Sequence, residues 1–225
     1  MRFIDLCFSS LGLIILLPLF LAVAILLKFT GEGDIFYRQE RIGLNGKTFF
    51  IIKFATMLRN SPNIGSGTIT SKNDLRILPV GKILRKTKIN ELPQLLNVLF
   101  GDMSIIGPRP HVECDLVGVE HNKLKEILLF KPGISGLGSI VLRDEEAILQ
   151  SFEDGRDFYD TVLAPYKSQL ELWYCKNYSI HLNIILIFAT IFVVCGGGVD
   201  KIFMLFKNLP KPNRELSILL FSTKD

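Results

Sequence analysis

The chain has 225 residues, of which 48% are apolar and 21% are charged. This mixture indicates one folded polar domain attached to a membrane and argues against a bundle of spanning helices. The net charge of +4 suits anionic lipid and phosphate-bearing ligands. Because no helix concentrates the positive charge and no recognition-helix or zinc-finger pattern occurs, nucleic acid is excluded as the expected partner.

The amino-terminal segment, residues 3–27, is almost wholly apolar and contains Pro18. A continuous helix over residues 6–27 would be about 33 Å long, enough to cross a bilayer. Proline inside a helix predicts a kink. Cationic residues flank both ends, so two topologies stay open: a spanning helix, or one that breaks at Pro18 and returns. The Ala-Val-Ala at 22–24 lies inside the apolar run, which disfavours a cleaved signal peptide.

The next segments predict a β-hairpin and a loop. Short strands are expected around residues 35–37 and 49–54, joined by a turn at Asn45-Gly46. Residues 59–73 are rich in Ser, Asn, Gly and Thr, which indicates a mobile loop suited to act as a lid. The four cations within residues 82–88 are typical of a solvated helix face and equally suit a diphosphate.

Residues 86–110 hold the groups with chemical potential. Asn90 is predicted as a helix N-cap, so Glu91 would lie at the positive end of the helix dipole, which favours its ionised form. The GPRP sequence at 107–110 predicts a rigid turn that presents the Arg109 guanidinium. The fixed fork of donors on arginine suits a phosphate or a planar base edge.

The carboxyl-terminal third predicts further helices. One is expected at 166–177, and the apolar run 184–195 is short for a span and better suits a buried or interfacial helix. The acids at 144–146 are expected at a helix start, where they compensate the dipole. Beyond Pro210 we expect a loose tail.

Taken in order, the motifs resemble those of the bacterial monotopic phosphoglycosyl transferases, which load a sugar phosphate onto a polyprenyl-phosphate lipid. The resemblance covers roughly residues 1–195. The matching motifs are QERIG at 39–43, KF at 53–54 with TM at 56–57, DLRILPVGKILRK at 74–86, ELPQLLNVL at 91–99, GDMS at 101–104, GPRP at 107–110, KPGISG at 131–136 and LWY at 172–174.

The resemblance implies an α/β fold, mostly helical with a small β-hairpin, in a membrane-associated monotopic protein. Its amino-terminal helix, residues 1–29, would be re-entrant and kinked at Pro18. Residues 30–195 would form a catalytic domain with interfacial helices on the cytoplasmic face of the bacterial inner membrane. Residues 196–225 would form a membrane-proximal segment and tail.

The reaction implied by the resemblance moves a sugar 1-phosphate from a UDP-sugar to undecaprenyl phosphate, with Mg²⁺ as cofactor and UMP released. It would open exopolysaccharide, O-antigen or capsule synthesis. The implied catalytic residues are Asn90, Glu91 and Lys53, with Glu91 and Asn90 also as metal ligands. The implied substrate-binding residues are Gln39, Arg41, Arg76, Arg85, Pro108, Arg109, Pro110, Arg143 and Glu171.

Two positions depart from the family pattern. Asn90 stands where the family has its nucleophilic aspartate, and Ala55 replaces a cation. A carboxamide is a poor nucleophile toward phosphorus and a weaker Mg²⁺ ligand than a carboxylate. Three explanations stay open: an engineered variant, Glu91 acting as the nucleophile, or a catalytically inactive relative that binds nucleotide-sugar and lipid.

Overall fold

The computed structural model describes residues 1–61, 74–111, 121–152, 155–206 and 208–221. Helices dominate these residues and accompany two small two-stranded sheets, which confirms the mostly helical α/β class. Contacts divide the chain into two compact units. The first comprises Met1–Arg41 and Thr48–Ile105, and the second Ile42–Lys47 and Ile106–Asp225. The predicted lid lies, from residue 62 onward, outside the described residues.

The first unit is built from one long helix, a hairpin and two short helices. Its elements are α1 (Arg2–Lys28), β1 (Phe36–Ile42), β2 (Thr48–Phe54), α2 (Pro79–Lys86) and α3 (Gln94–Phe100), followed by β3 (Ser104–Ile106), which ends in the second unit. The predicted hairpin is confirmed. Its turn, Leu44–Gly46, holds Asn45 at φ 57° and Gly46 at φ 75°, and Asn and Gly tolerate this left-handed conformation best.

Helix α1 is assigned without interruption across Pro18. Within the described ranges it is the one helix long and apolar enough to cross a membrane, by length and composition. Near its carboxyl end, Val23 and Leu27 are buried in a cluster with Phe54 and Leu84. The re-entrant topology and the kink stay predictions.

The start of α3 corrects a prediction. Residues Ile89–Glu91 form a 3-10 turn, and the helix begins at Gln94 with Pro93 at the N-cap position. Asn90 therefore does not cap the helix. Lys88, at φ 59°, turns the chain sharply between α2 and this 3-10 turn, a tertiary feature that local capping rules do not contain.

The second unit packs helices around α8. Its elements are α4 (His121–Leu128), β4 (Gly133–Ser135), α5 (Leu137–Val141), α6 (Glu145–Gln150), α7 (Gly155–Phe158), a π-helical turn (Tyr159–Leu163), α8 (Ala164–Lys176), α9 (Ile180–Val194), α10 (Asp200–Leu205) and α11 (Arg214–Phe221). The predicted helix at 166–177 is confirmed by α8, which buries Leu170 and Tyr174 and contacts α4 and α5.

Helix α9 of this unit is buried on one side and exposes apolar residues on the other. Helix α9 buries Leu186 and Val193 and exposes Ile184 and Phe188, which fits the interfacial helix expected there. The prediction of a loose tail beyond Pro210 is wrong, because α11 is helical and Leu216 is fully buried. The start of this segment is fixed to α8 as well, because the Tyr166 hydroxyl donates a hydrogen bond to the Pro210 carbonyl at 2.9 Å.

Candidate active site

A lysine and a glutamate from the central motifs meet in the first unit. Lys53 lies on β2 and Glu91 ends the 3-10 turn before α3. Lys53 Nζ donates to Glu91 Oε1 at 2.9 Å. The two side chains are 18% and 30% exposed, so the carboxylate remains accessible to a ligand while it is held by a cation. The structure thus brings together two of the three predicted catalytic residues.

The third, Asn90, precedes Glu91 in the same turn and is buried. Its Oδ1 atom has no hydrogen-bond partner within the described ranges. Those ranges also contain no group of three His, Cys, Asp or Glu side chains that could hold a metal. Mg²⁺ is commonly bound through one or two protein oxygens plus substrate phosphates and water. A Glu91 carboxylate beside an unsatisfied Asn90 oxygen fits that pattern.

The predicted phosphate-binding side chains of this unit have differing surroundings. Arg41 donates to Gln39 Oε1 at 2.7 Å, and the Arg85 guanidinium lies 3.8 Å from the Met57 sulfur. Arg76 is buried and forms a fork with Asp74, with N–O distances of 2.8 and 2.6 Å. This hydrogen-bonded Asp74 raises the pKa of Arg76. Arg76 also donates to the Ser61 carbonyl at 3.0 Å, so it ties together the chain on either side of residues 62–73.

In the second unit, the GPRP turn packs backbone to backbone on the KPGISG segment. The Gly107 amide donates to the Ser135 carbonyl at 3.0 Å, and the Gly133 amide to the Pro108 carbonyl at 2.9 Å. A Cβ atom at Gly107 or Gly133 would overlap with the backbone of the facing segment, so both positions require glycine. The two motifs co-occur because each makes room for the other.

This packing produces the predicted presentation of Arg109. Pro108 and Pro110 are buried, whereas Arg109 is exposed. The turn borders a shallow cleft. The residues that line this cleft are Gly107, Pro108, Arg109, Gly136, Leu137, Gly138, Ser139, Glu171 and Tyr174.

Glu171 supports the turn from below. Its Oε1 accepts the Arg109 backbone N–H at 3.1 Å, and its Oε2 lies 3.3 Å from His111 Nε2, an ion pair when the imidazole is protonated. The predicted residues Arg109 and Glu171 are therefore in direct contact. Arg143 has a different neighbour, because its guanidinium donates to the Val193 carbonyl near the end of α9.

Two polar features were not predicted from the sequence. Lys167 is buried in α8 and its Nζ lies 2.6 Å from Glu145 Oε2. Desolvation, and then the charge of Arg109, lower the pKa of Lys167, against the raising effect of Glu145. Asn97, in the NVL motif of α3, is 99% buried and bonds strand β2 through its carboxamide. No local pattern signals Lys167, but a polar residue in the middle of an apolar helix is a signal for Asn97.

Comparison with known proteins supplies a family. Residues 1–197 match the bacterial sugar transferase family. The chain is 37% identical over 202 residues to a UDP-glucose:undecaprenyl-phosphate glucose-1-phosphate transferase of Klebsiella pneumoniae, a match covering 85% of this chain and 39% of the relative. It is 36% identical to the exopolysaccharide production protein ExoY of Sinorhizobium fredii, covering 86% of this chain and 84% of that protein.

A third relative carries a different sugar in its name. The chain is 33% identical over 198 residues to a UDP-N-acetylgalactosamine-undecaprenyl-phosphate N-acetylgalactosaminephosphotransferase of Aeromonas hydrophila, covering 87% of this chain and 44% of the relative. The chain thus spans about two fifths of the Klebsiella and Aeromonas proteins and most of the rhizobial one.

Proposed function

The chain belongs to the bacterial sugar transferase family, and we propose that it moves a sugar 1-phosphate from a UDP-sugar to undecaprenyl phosphate, releasing UMP. The product would start an exopolysaccharide or another surface glycan. The proposal takes its reaction class from relatives whose names specify undecaprenyl-phosphate sugar phosphotransferases. These names favour catalysis over the alternative of an inactive binding protein.

The observation that carries the proposal for this chain is the Lys53–Glu91 pair, 2.9 Å apart and partly exposed. A carboxylate that is accessible, held by a cation and placed in the family's central motif can attack phosphorus. The ammonium can meet the negative charge of an incoming diphosphate without leaving the carboxylate. We therefore assign Glu91 as the nucleophile, which makes Asn90 compatible with activity.

The transfer then takes two balanced steps. A Glu91 oxygen attacks the phosphorus that carries the sugar, and the bridging P–O bond breaks with its electron pair leaving on UMP. An oxygen of undecaprenyl phosphate next attacks the same phosphorus and releases the Glu91 carboxylate. A covalent intermediate divides one difficult phosphoryl transfer into two easier ones.

The remaining groups are assigned to binding. Asn90 Oδ1 and the Glu91 carboxylate would hold Mg²⁺, which supplies charge neutralisation to the diphosphate when bound. We place Arg41 and Arg85 on phosphate oxygens and Gln39 behind Arg41, because they belong to the same unit as Glu91. The exposed Arg109 between two buried prolines suits the uridine.

We further propose a one-sided membrane topology at the cytoplasmic face of the inner membrane. At the start of α1, Arg2 donates to the Val98 and Leu99 carbonyls, the latter at 2.7 Å. Asp5 accepts from the Ser104 hydroxyl at 2.8 Å and from the Ile105 amide at 3.0 Å. Near its other end, Val23 and Leu27 pack against Phe54 and Leu84. Both ends of α1 therefore contact the rest of the first unit. A spanning helix places its ends on opposite faces, so these contacts support re-entry.

Single cysteines test this topology in a cysteine-free background. Phe3→Cys reports the start of α1 at an exposed position, and Lys47→Cys reports the exposed hairpin turn. A membrane-impermeant maleimide added to intact spheroplasts should label neither, and both should react after lysis. Labelling of Phe3→Cys alone from outside would show a spanning helix.

UMP release tests the function. The full chain in detergent or nanodiscs is incubated with Mg²⁺, undecaprenyl phosphate and each member of a UDP-sugar panel, alongside Asn90→Asp and Glu91→Gln. We expect the chain itself to release UMP with one donor and Glu91→Gln to release none. Activity in Asn90→Asp together with silence of the unaltered chain would contradict Glu91 as the nucleophile.

A further inference from the structure

We propose that Asn97 is a positioning residue that fixes Lys53 against Glu91, an inference that rests on the proposed function of that pair. Asn97 lies in the middle of α3. Within the described residues its side chain forms no hydrogen bond with Lys53 or Glu91. It is 1% exposed, so it is unavailable to substrate. Its effect on the reaction must pass through the elements it connects.

The carboxamide of Asn97 pairs with β2 as a residue of a neighbouring strand would. Its Oδ1 accepts the Ile52 N–H at 3.0 Å and its Nδ2 donates to the Phe50 carbonyl at 2.7 Å. One donor and one acceptor on alternate residues of a strand are the groups that a β-ladder satisfies. Asn97 thus attaches helix α3 to the hairpin with two partly buried hydrogen bonds.

These two bonds lie next to the reactive pair in the chain. Lys53 directly follows Ile52 on β2, and Glu91 lies in the 3-10 turn that leads into α3. The pair is 2.9 Å apart only while strand and turn keep their spacing. An error of about 1 Å in the position of reacting groups is enough to lower a rate about 100-fold. Asn97 is the described side chain that bonds α3 to this stretch of β2.

Asn97 also organises the motif that follows α3. Its backbone carbonyl accepts the amides of Gly101, Asp102 and Met103, at 3.0, 2.9 and 3.2 Å. Gly101 has φ 99°, a conformation suited to glycine, so the chain can reverse there. Helix end, GDMS turn and hairpin are therefore joined at one residue, and the two side-chain bonds to β2 explain an amide at this position in a helix that is otherwise largely apolar.

The experiment compares Asn97→Leu with Val98→Ala, which loses buried apolar volume in the same helix. Asn97→Leu keeps the size of the side chain and removes both bonds to β2, together with the longer 3.5 Å contact of Nδ2 with Asp102 Oδ2. Lys53 labelling by an amine reagent is followed in the full chain by peptide mass spectrometry, with the exposed Lys47 as internal reference. We expect the Lys53 rate to rise about fivefold in Asn97→Leu and stay within about twofold in Val98→Ala, because ion pairing and burial protect an amine.

Turnover supplies the second readout. With the donor that the unaltered chain uses, Asn97→Leu should lower kcat about tenfold or more with KM for the UDP-sugar within about threefold. If the leucine variant does not fold, Asn97→Ala replaces it, since alanine removes the same hydrogen bonds, adds no charge beside Asp102 and favours the helix. Unchanged Lys53 labelling in the folded Asn97 variant would overturn the proposal. If the unaltered chain released no UMP but Lys53 labelling still increased in the variant, the proposed function would be wrong and the positioning of Lys53 by Asn97 would stand.

Discussion

Each of the two units contains a Lys–Glu ion pair of similar length, and the two pairs differ in burial. Lys53 and Glu91 are 2.9 Å apart with side chains 18% and 30% exposed. Lys167 and Glu145 are 2.6 Å apart, and the lysine is only 8% exposed. In the first pair the carboxylate is the more accessible partner. The residue before it, Asn90, has a buried side-chain oxygen with no hydrogen-bond partner within the described residues. In the second pair the ammonium belongs to a buried side chain of α8.

This difference in burial indicates that the two pairs have different roles. An accessible carboxylate beside a cation can exchange part of its environment for a phosphate ligand. A buried ammonium depends on its carboxylate, because removing one partner leaves an unpaired charge in a poorly solvating environment. Under the proposed function the first pair is the reactive centre and the second is structural, although residue types and distances are nearly the same.

The largest effect should come from removing the two glutamates in turn. Glu91→Gln removes the proposed nucleophile and should lower UMP release about 1,000-fold or more. Glu145→Gln should keep turnover, per mole of folded protein, within about threefold. Both are measured with the same UDP-sugar and lipid phosphate. Equal losses in the two variants would erase the distinction between the pairs.

The lysine of the reactive pair should matter less than its carboxylate. Lys53→Met removes one charge that faces the diphosphate and should lower turnover about 10- to 100-fold. Lys47→Met, the same change at an exposed position of the hairpin turn, is the control and should have no effect. If Lys53→Met retained full kcat and raised only KM, Lys53 would serve binding and not the chemical steps.

Stability should respond in the opposite order. Glu145→Gln leaves Lys167 buried without this carboxylate and should lower the free energy of unfolding by about 2 kcal/mol. That is less than the 3–5 kcal/mol of fully buried pairs, because Glu145 is 21% exposed. Glu91→Gln should cost less than about 1 kcal/mol. Urea unfolding measures both, and the double variant Lys167→Met with Glu145→Gln should recover most of the loss.

The smallest effect is the part of the pH dependence that Lys167 contributes. Burial lowers the pKa of Lys167 below its ordinary value of 10.5. The unfolded chain then binds a proton that the folded chain releases, so Lys167 should make the free energy of unfolding rise with pH between its lowered pKa and 10.5, by at most about 1.4 kcal/mol per pH unit. Burial raises the pKa of the Cys175 thiol to about 12, which gives the opposite slope above about pH 9, so the contribution of Lys167 is isolated by substituting it. Lys167→Met should flatten this rise relative to the unaltered chain. If the two stability curves, of the unaltered chain and of Lys167→Met, ran parallel up to pH 10.5, burial would not lower the pKa of Lys167.

Local signals account for what the sequence predicted correctly. The hairpin follows from Asn45-Gly46, whose backbone preferences are independent of the rest of the chain. The exposure of Arg109 follows from its two flanking prolines. These features need only the residues within a motif.

Long-range contacts account for what it missed. Asn90 was predicted as a cap, but the chain turns at Lys88 and delays the helix to Gln94. The tail was predicted to be loose because the burial of Leu216 depends on distant residues. The Lys167–Glu145 pair joins positions 22 apart in the chain, and no periodicity marks either as buried.

The central claim, that Glu91 forms a covalent bond to the transferred phosphate, has a direct test. The chain is incubated with Mg²⁺ and its UDP-sugar labelled on the sugar-bearing phosphate, with no lipid acceptor, then acid-quenched and digested for peptide mass spectrometry. The account predicts one phosphosugar per chain on Glu91, absent in Glu91→Gln and lost on adding undecaprenyl phosphate. UMP release with label on another residue, or release only when the lipid is present, would contradict it.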